Sequence, residues 1–145
     1  MLLPDFDFEK SLIPPSARYL LGIDEVGRGP WAGPVAIGAF LLDLHHFDLD
    51  FFVKNKVRDS KTLSESQRQN IKKLFDQQNY SYKVFLSSST KIDQYGISRV
   101  ISSLVRSALK NFAGLFDFAL LDGNLHVGAD PRVCPNYVRS LVHAD

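Results

Sequence analysis

Four carboxylates stand where they could do chemistry. Asp24, Asp122 and Asp145 each end a candidate strand, and Glu25 directly follows the first of them. If the three runs are parallel neighbouring strands joined by right-handed helical crossovers, all three aspartates lie at one edge of a sheet. Carboxylates held a few ångströms apart raise one another's pKa unless cations neutralise them. The pattern therefore predicts a site for a hard, oxygen-seeking cation such as Mg²⁺ or Mn²⁺.

A single aspartate at a strand end often serves only to form a turn or cap a helix. Three such aspartates, each ending an apolar run, favour a shared site. Adjacent residues of a regular strand point to opposite faces. Asp24 and Glu25 can therefore share metals only if the chain leaves regular geometry there, and Gly27 makes such a departure plausible.

The elements that must position these residues follow from the spacing of apolar side chains. Ser64 and Gln67 form a capping-box pattern that predicts a helix over 65–78. An apolar stripe from Ile97 to Phe112 predicts a second helix. Apolar or alternating runs predict strands over 19–25, 35–42, 82–86, 116–121 and 138–142. An α/β fold is expected, with a mixed sheet of about five strands flanked by helices.

Composition indicates one folded domain. The chain has 145 residues, 45% of them hydrophobic, and a net charge of +1, so binding to a polyanion needs a local basic cluster or metal ions. Residues 1–17 contain three prolines and are interpreted as a leader, with the catalytic domain at 18–145. The single cysteine excludes an intramolecular disulfide and fits a cytoplasmic protein. We expect no secretory signal and no membrane span.

The loop at residues 27–32 formally matches the dinucleotide-binding pattern GxGxxA. That pattern should open a helix, with an acidic ribose-binding residue about 20 positions later. Here Pro34 leads instead into the strand-like sequence that begins at Val35. The context therefore argues against a dinucleotide site.

Several motifs carry a resemblance to a known family. Residues 22–35, GIDEVGRGPWAGPV, are similar to the signature at the start of ribonuclease HII domains. Three later segments resemble family segments in the same order: DSKTLS at 59–64, ID and GI within 92–97, and LLDG at 120–123. The resemblance thus extends over residues 22–123.

The resemblance implies a ribonuclease H-like fold and an active site of four carboxylates, carried over to Asp24, Glu25, Asp122 and Asp145. It also implies endonucleolytic hydrolysis of the RNA strand of RNA–DNA hybrids, including at single ribonucleotides in duplex DNA. With two Mg²⁺ or Mn²⁺ ions, the products are 5′-phosphate and 3′-hydroxyl ends. The family has helices after its fourth carboxylate. The domain is therefore expected to be incomplete, and a form extended by those helices to be more active and more stable.

The same resemblance assigns substrate contacts. Gly27, Arg28 and Gly29 are expected to recognise the 2′-hydroxyl of a ribonucleotide, since glycine allows close backbone approach. Arg28, Ser60 and Lys61 are expected to contact phosphates. On the residues alone, Arg28 could equally be a solvated loop charge and Lys61 a lysine beside a helix. The expected partner is a hybrid duplex, bound by a monomer.

Two other functions compete with this interpretation. One is another metal-dependent nuclease of the same fold, because one fold hosts many activities. The other is a non-catalytic module that binds hybrids. Retention of four carboxylates disfavours a pure binding role, since negative charge beside phosphates weakens binding.

Overall fold

The computed structural model describes residues 11–26 and 33–122, and the backbone of residues 138–141. The strands in this part of the chain are β1 (Tyr19–Val26), β2 (Val35–Asp43), β3 (Ser81–Ser87), β4 (Phe118–Asp122) and β5 (Val138–Leu141). The helices are α1 (Leu49–Lys54), α2 (Glu65–Gln77), α3 (Ser89–Tyr95) and α4 (Ile97–Asn111), with 3₁₀ turns at Leu44–His46 and Ser60–Thr62.

The described strands form one mixed sheet in the order β3-β2-β1-β4-β5. β1 pairs antiparallel with β2, and β2 antiparallel with β3, as a meander requires. β1 and β4 are parallel, as are β4 and β5. This arrangement confirms the predicted sheet of about five strands flanked by helices, and it places the ends of β1, β4 and β5 at one edge.

One face of the sheet is sealed by α4. Strand residues alternate between faces. The core on this face contains Leu21, Ile37 and Leu121, none of which is exposed to solvent. The apolar stripe of α4, including Val105 and Leu109, covers them completely. Burying each such side chain stabilises the fold by roughly 1.5–3 kcal/mol. The stripe predicted from the sequence is therefore the main helix–sheet contact.

The opposite face is covered at one end only. A smaller core there consists of Ala17, Leu20, Leu42, Phe118 and Leu120. Leu12 and Ile13, from the segment interpreted as a leader, pack against it. Aromatic rings attach α1 and α2 to this core, with centroids 5.1–6.0 Å apart among Phe40, Phe52, Phe75 and Tyr80. Towards the ends of β1 and β4 the described residues leave this face open.

Predicted and observed elements agree closely where the pattern was long. The capping box of α2 is present: Ser64 Oγ accepts from Gln67 N, and Gln67 Oε1 accepts from Ser64 N. The strand predicted over 116–121 begins two residues later, at Phe118. The short helices α1 and α3 were not predicted. No helix in the described ranges is long and apolar enough to cross a membrane.

Candidate active site

Asp24 and Asp122 meet because β1 and β4 are parallel neighbours. Ile23 is the register partner of Leu121, and each aspartate is the next residue on its strand. Both side chains line the same groove on the half-open face of the sheet. The prediction that these two strand ends lie side by side is therefore confirmed.

The charges around Asp24 oppose its ionisation. Partial burial raises the pKa of this carboxyl, and the nearby charge of Asp122 raises it further, with a smaller contribution from Glu25. A backbone hydrogen bond and the positive charge of Lys61 act in the opposite direction but do not cancel the shift. A divalent cation held between two such oxygen ligands would relieve their repulsion, so the donor set fits Mg²⁺ or Mn²⁺.

Glu25 stays within regular strand geometry. It pairs with Ile37 of β2, and strand alternation directs its side chain to the face opposite Asp24. One of its carboxylate oxygens, Oε2, is buried. Among the described residues, no three Asp, Glu, His or Cys side chains are grouped so that they could hold a metal ion. The structure thus brings Asp24 and Asp122 together without adding Glu25, whose role as a ligand stays a prediction.

Ser60 and Lys61 lie in an exposed 3₁₀ turn. Asp59 caps the turn by accepting a hydrogen bond from Lys61 N at 2.9 Å. Arg68 also holds it, because its Nη1 donates to the carbonyl of Leu63 at 2.6 Å. The charge of Lys61 lowers the pKa of Asp24. The charge of this turn thus acts on the carboxylate site, and the phosphate contacts expected of Ser60 and Lys61 stay predictions.

The other predicted site residues fall outside the described residues. They are Asp145, the expected fourth carboxylate, and the loop residues Gly27, Arg28 and Gly29. Their assignments stay predictions.

A groove of about 640 Å³ runs from the two aspartates across the half-open face. Gly22 and Gly38 contribute no side chain to its floor, and a Cβ added at Gly38 would contact nothing within 4 Å. Its lining includes Asp24, Phe40, Lys72, Phe75, Tyr82, Lys83 and Asp122. Sequence reasoning missed this groove. The available signal was the spacing of Gly22 and Asp24, which places both on one face of β1.

Comparison with known proteins is consistent with this site. The family model described as Ribonuclease HII matches residues 21–128. Ribonuclease HII of Clostridium beijerinckii is 32% identical over 120 residues, which are 83% of this chain and 43% of that protein. The chain thus spans under half the length of that relative.

Solved structures show the same fold. The ribonuclease H2 structure from Pyrococcus horikoshii superposes with a TM-score of 0.61 at 25% identity, covering 88% of this chain and 64% of that one. Bst-RNase HIII in complex with Mn²⁺ gives a TM-score of 0.60 at 18% identity, covering 87% of this chain and 46% of that one. The family match, the relatives and the fold agree, and the chain belongs to the ribonuclease HII family.

Proposed function

We propose that this chain carries the catalytic edge of an endonuclease that hydrolyses the RNA strand of RNA–DNA hybrids, including at single ribonucleotides embedded in duplex DNA. The observation that carries the proposal is the pairing of Asp24 with Asp122 at the ends of two parallel strands in a ribonuclease HII-family chain. The products are a 5′-phosphate and a 3′-hydroxyl.

Asp24 and Asp122 would hold the divalent cations, with Asp145 as a further ligand and with Glu25 joining them where β1 departs locally from regular strand geometry. Two such cations, Mg²⁺ or Mn²⁺, supply activation of the attacking water and stabilisation of the leaving 3′-oxygen when bound. The protein's own contribution is to fix two carboxylates on adjacent strands of a rigid sheet. Partial burial of Asp24 supports this role, because it strengthens electrostatic interactions in the site.

Substrate contacts are proposed for two segments, the turn that contains Ser60 and Lys61 and residues 27–29. The exposed Lys61 is near enough to affect the pKa of Asp24, so a phosphate lying beside the carboxylate pair would also be near its ammonium group. Ser60, in the same turn, offers a hydroxyl donor to that phosphate. The backbone of Gly27, Arg28 and Gly29 is proposed to contact the 2′-hydroxyl, which distinguishes RNA from DNA.

The test is cleavage of a duplex with one ribonucleotide, compared with an all-DNA duplex of the same sequence. With Mg²⁺ or Mn²⁺ we expect a single cut at the ribonucleotide and none in the all-DNA duplex. Asp24→Asn and Asp122→Asn should each abolish cutting, because each removes a proposed metal ligand. Asp50→Asn changes an exposed aspartate at the start of α1 and should leave cutting unchanged.

Three results would contradict the proposal. Equal cutting of both duplexes would refute recognition of the 2′-hydroxyl. Normal cutting by either aspartate variant would refute the metal-ligand assignment. Binding of the hybrid without any cutting in metal would favour a non-catalytic binding module.

A further inference from the structure

Positive charge is concentrated in one part of this nearly neutral chain. Residues 81–115 contain five basic residues and one acidic residue, Asp93, for a net charge of +4. Because the whole chain carries +1, all other residues together carry −3. This segment comprises β3, α3 and α4 and is also rich in serine. Such an asymmetry within one domain indicates a polyanion-binding surface.

The fold arranges much of this charge along one helix. Arg99, Ser103, Arg106 and Lys110 of α4 are all exposed, and their spacing of four, three and four residues puts them on one helix face. From the first to the last, the stripe is about 16 Å long at a rise of 1.5 Å per residue. The opposite face of α4 is buried against the sheet. We call these four residues the α4 basic face.

The cations of this face have no counter-charge among the residues that the structure describes. Within the ranges that the structure describes, Arg99, Arg106 and Lys110 take part in no ion pair and no side-chain hydrogen bond. No acidic residue lies in α4. By contrast, Lys72 on α2 pairs with Asp76 at 2.9 Å. The three cations are therefore available to a ligand.

A groove adjoins the basic face. It measures about 710 Å³ and lies between β3, α3 and the first half of α4. Lys91 and Arg99 line it together with the hydroxyl-bearing residues Ser87, Tyr95, Ser103 and Ser107, and no acidic residue is among its described lining. Tyr95 is 52% exposed. Basic and hydroxyl side chains of this kind are the usual contacts to phosphate oxygens, and they carry no base specificity.

The basic face is separate from the catalytic groove but shares an edge with it. α4 packs on the sheet face that contains Leu21, whereas the groove with Asp24 lies on the other face. β3 ends at Ser87 opposite Val35, at the edge where β1 also ends. α3 follows directly, and Arg99 near the start of α4 lines the second groove together with Ser87, the last residue of β3.

We infer that the α4 basic face binds the phosphate backbone of nucleic acid outside the stretch that is cut, as a sequence-independent second contact. The choice of nucleic acid as the polyanion rests on the proposed function. The surface would hold the enzyme on duplex DNA around a rare ribonucleotide.

The experiment measures binding of the full chain to a fluorescein-labelled all-DNA duplex of about 24 base pairs over roughly 50–200 mM salt. The test variant is Arg99→Gln, Arg106→Gln and Lys110→Gln combined. We expect its Kd to rise about tenfold at the lowest salt. The slope of log K against log salt should fall by about 2 to 3, since each lost phosphate contact contributes about 0.9.

A matched control removes the same charge elsewhere. The exposed residues Lys54, Lys56 and Lys73, all outside the basic segment, are replaced together by Gln, and this variant should keep the original slope. Equal losses of DNA affinity in both triple variants would show that the net charge of the chain, and not the α4 basic face, causes the effect. No loss in the test variant, with an unchanged circular dichroism melt, would overturn the inference.

Two further measurements separate related ideas. The first is binding of poly-L-glutamate to wild type and to the test variant. If the test variant loses affinity for poly-L-glutamate as strongly as it loses affinity for DNA, the surface binds acidic polypeptides and the nucleic-acid assignment is refuted. The duplex is never cut in these assays. A chain that fails to cleave a ribonucleotide-containing duplex but shows the expected binding would therefore contradict the proposed function and not the α4 basic face.

Discussion

At the scale of single residues, the site depends on balanced electrostatic effects at Asp24. Partial burial, Asp122 and Glu25 raise the pKa of this carboxyl, whereas Lys61 lowers it. The first three disfavour the ionised form that binds a cation, and Lys61 favours it. Without a metal, the Asp24 carboxyl therefore gives up its proton less readily than an isolated carboxyl in water.

The balance can be tested with two variants that act in opposite directions. Asp122→Asn removes a negative neighbour and should lower the pKa of Asp24. Lys61→Gln removes a positive neighbour and should raise it, while Lys61→Arg should leave it nearly unchanged. The measurement is a carboxyl ¹³C NMR titration of the metal-free chain. Shifts of the same sign in the first two variants would contradict the arrangement of charges described here.

How well the positions of these residues could be predicted depends on whether a sequence pattern fixes them. The pairing of Asp24 with Asp122 follows from two apolar runs that each end in aspartate, once the runs are parallel neighbours. The effect of Lys61 on Asp24 does not follow from apolar runs, because it depends on where a 3₁₀ turn outside the sheet is held; only the family resemblance associated Lys61 with the site. No local sequence pattern indicates the position of that turn.

At the scale of elements, one carboxylate joins the start of β1 to the end of β2. Asp43 accepts hydrogen bonds from Arg18 Nη2 at 3.0 Å and from the backbone of His45 at 3.0 Å. His46 Nδ1 also lies 3.0 Å from it. The Arg18 guanidinium, followed by His46, lowers the pKa of Asp43 well below its usual range.

This lowered pKa makes a pH-dependent contribution to stability. A carboxyl with a depressed folded-state pKa stabilises the fold above its unfolded value of about 4, and the effect disappears as pH falls through the folded value. Asp43→Asn keeps an oxygen for the His45 N–H but loses the charge. We expect lower urea midpoints than wild type at pH 7 and a gap that narrows below about pH 4.

The matched control for this prediction is Arg18→Gln, which removes the main partner and should give the same pH dependence. A gap between wild type and Asp43→Asn that persists unchanged at the lowest pH would show that the charge of Asp43 is not responsible.

Element prediction succeeded where apolar periodicity ran through several turns or a whole strand. α4 has 15 residues, and its stripe was sufficient to place it almost to the residue. α1 has six residues and α3 has seven, about two turns each, which is too short for a helical period to stand out. α1 is instead fixed by tertiary contacts, such as the packing of Phe52 against Phe75 at 6.0 Å between centroids.

At the scale of the whole molecule, the two faces of the sheet differ in how they are covered. α4 packs over one face and carries three cations on its outer side that form no ion pair with any described residue. Among the described residues, the other face is packed at one end and open at the end that holds Asp24 and Asp122. The sequence predicts the sheet and its main helix. It does not reveal that the described residues cover only part of the second face, since apolar residues on an open face resemble core residues in a strand pattern.

The lateral edge of the sheet formed by β3 is where we expect molecules to pair at high concentration. Among the described strands, β3 has a neighbour on one side only, and its Val84 and Leu86 are 61% and 67% exposed. Such an edge is a template for strand pairing between molecules, and charged side chains oppose that pairing. Leu86→Lys should therefore lower light scattering in concentrated solution. Leu115→Lys, at a position 54% exposed but outside any strand, should not; equal effects would trace self-association to general hydrophobicity and not to β3.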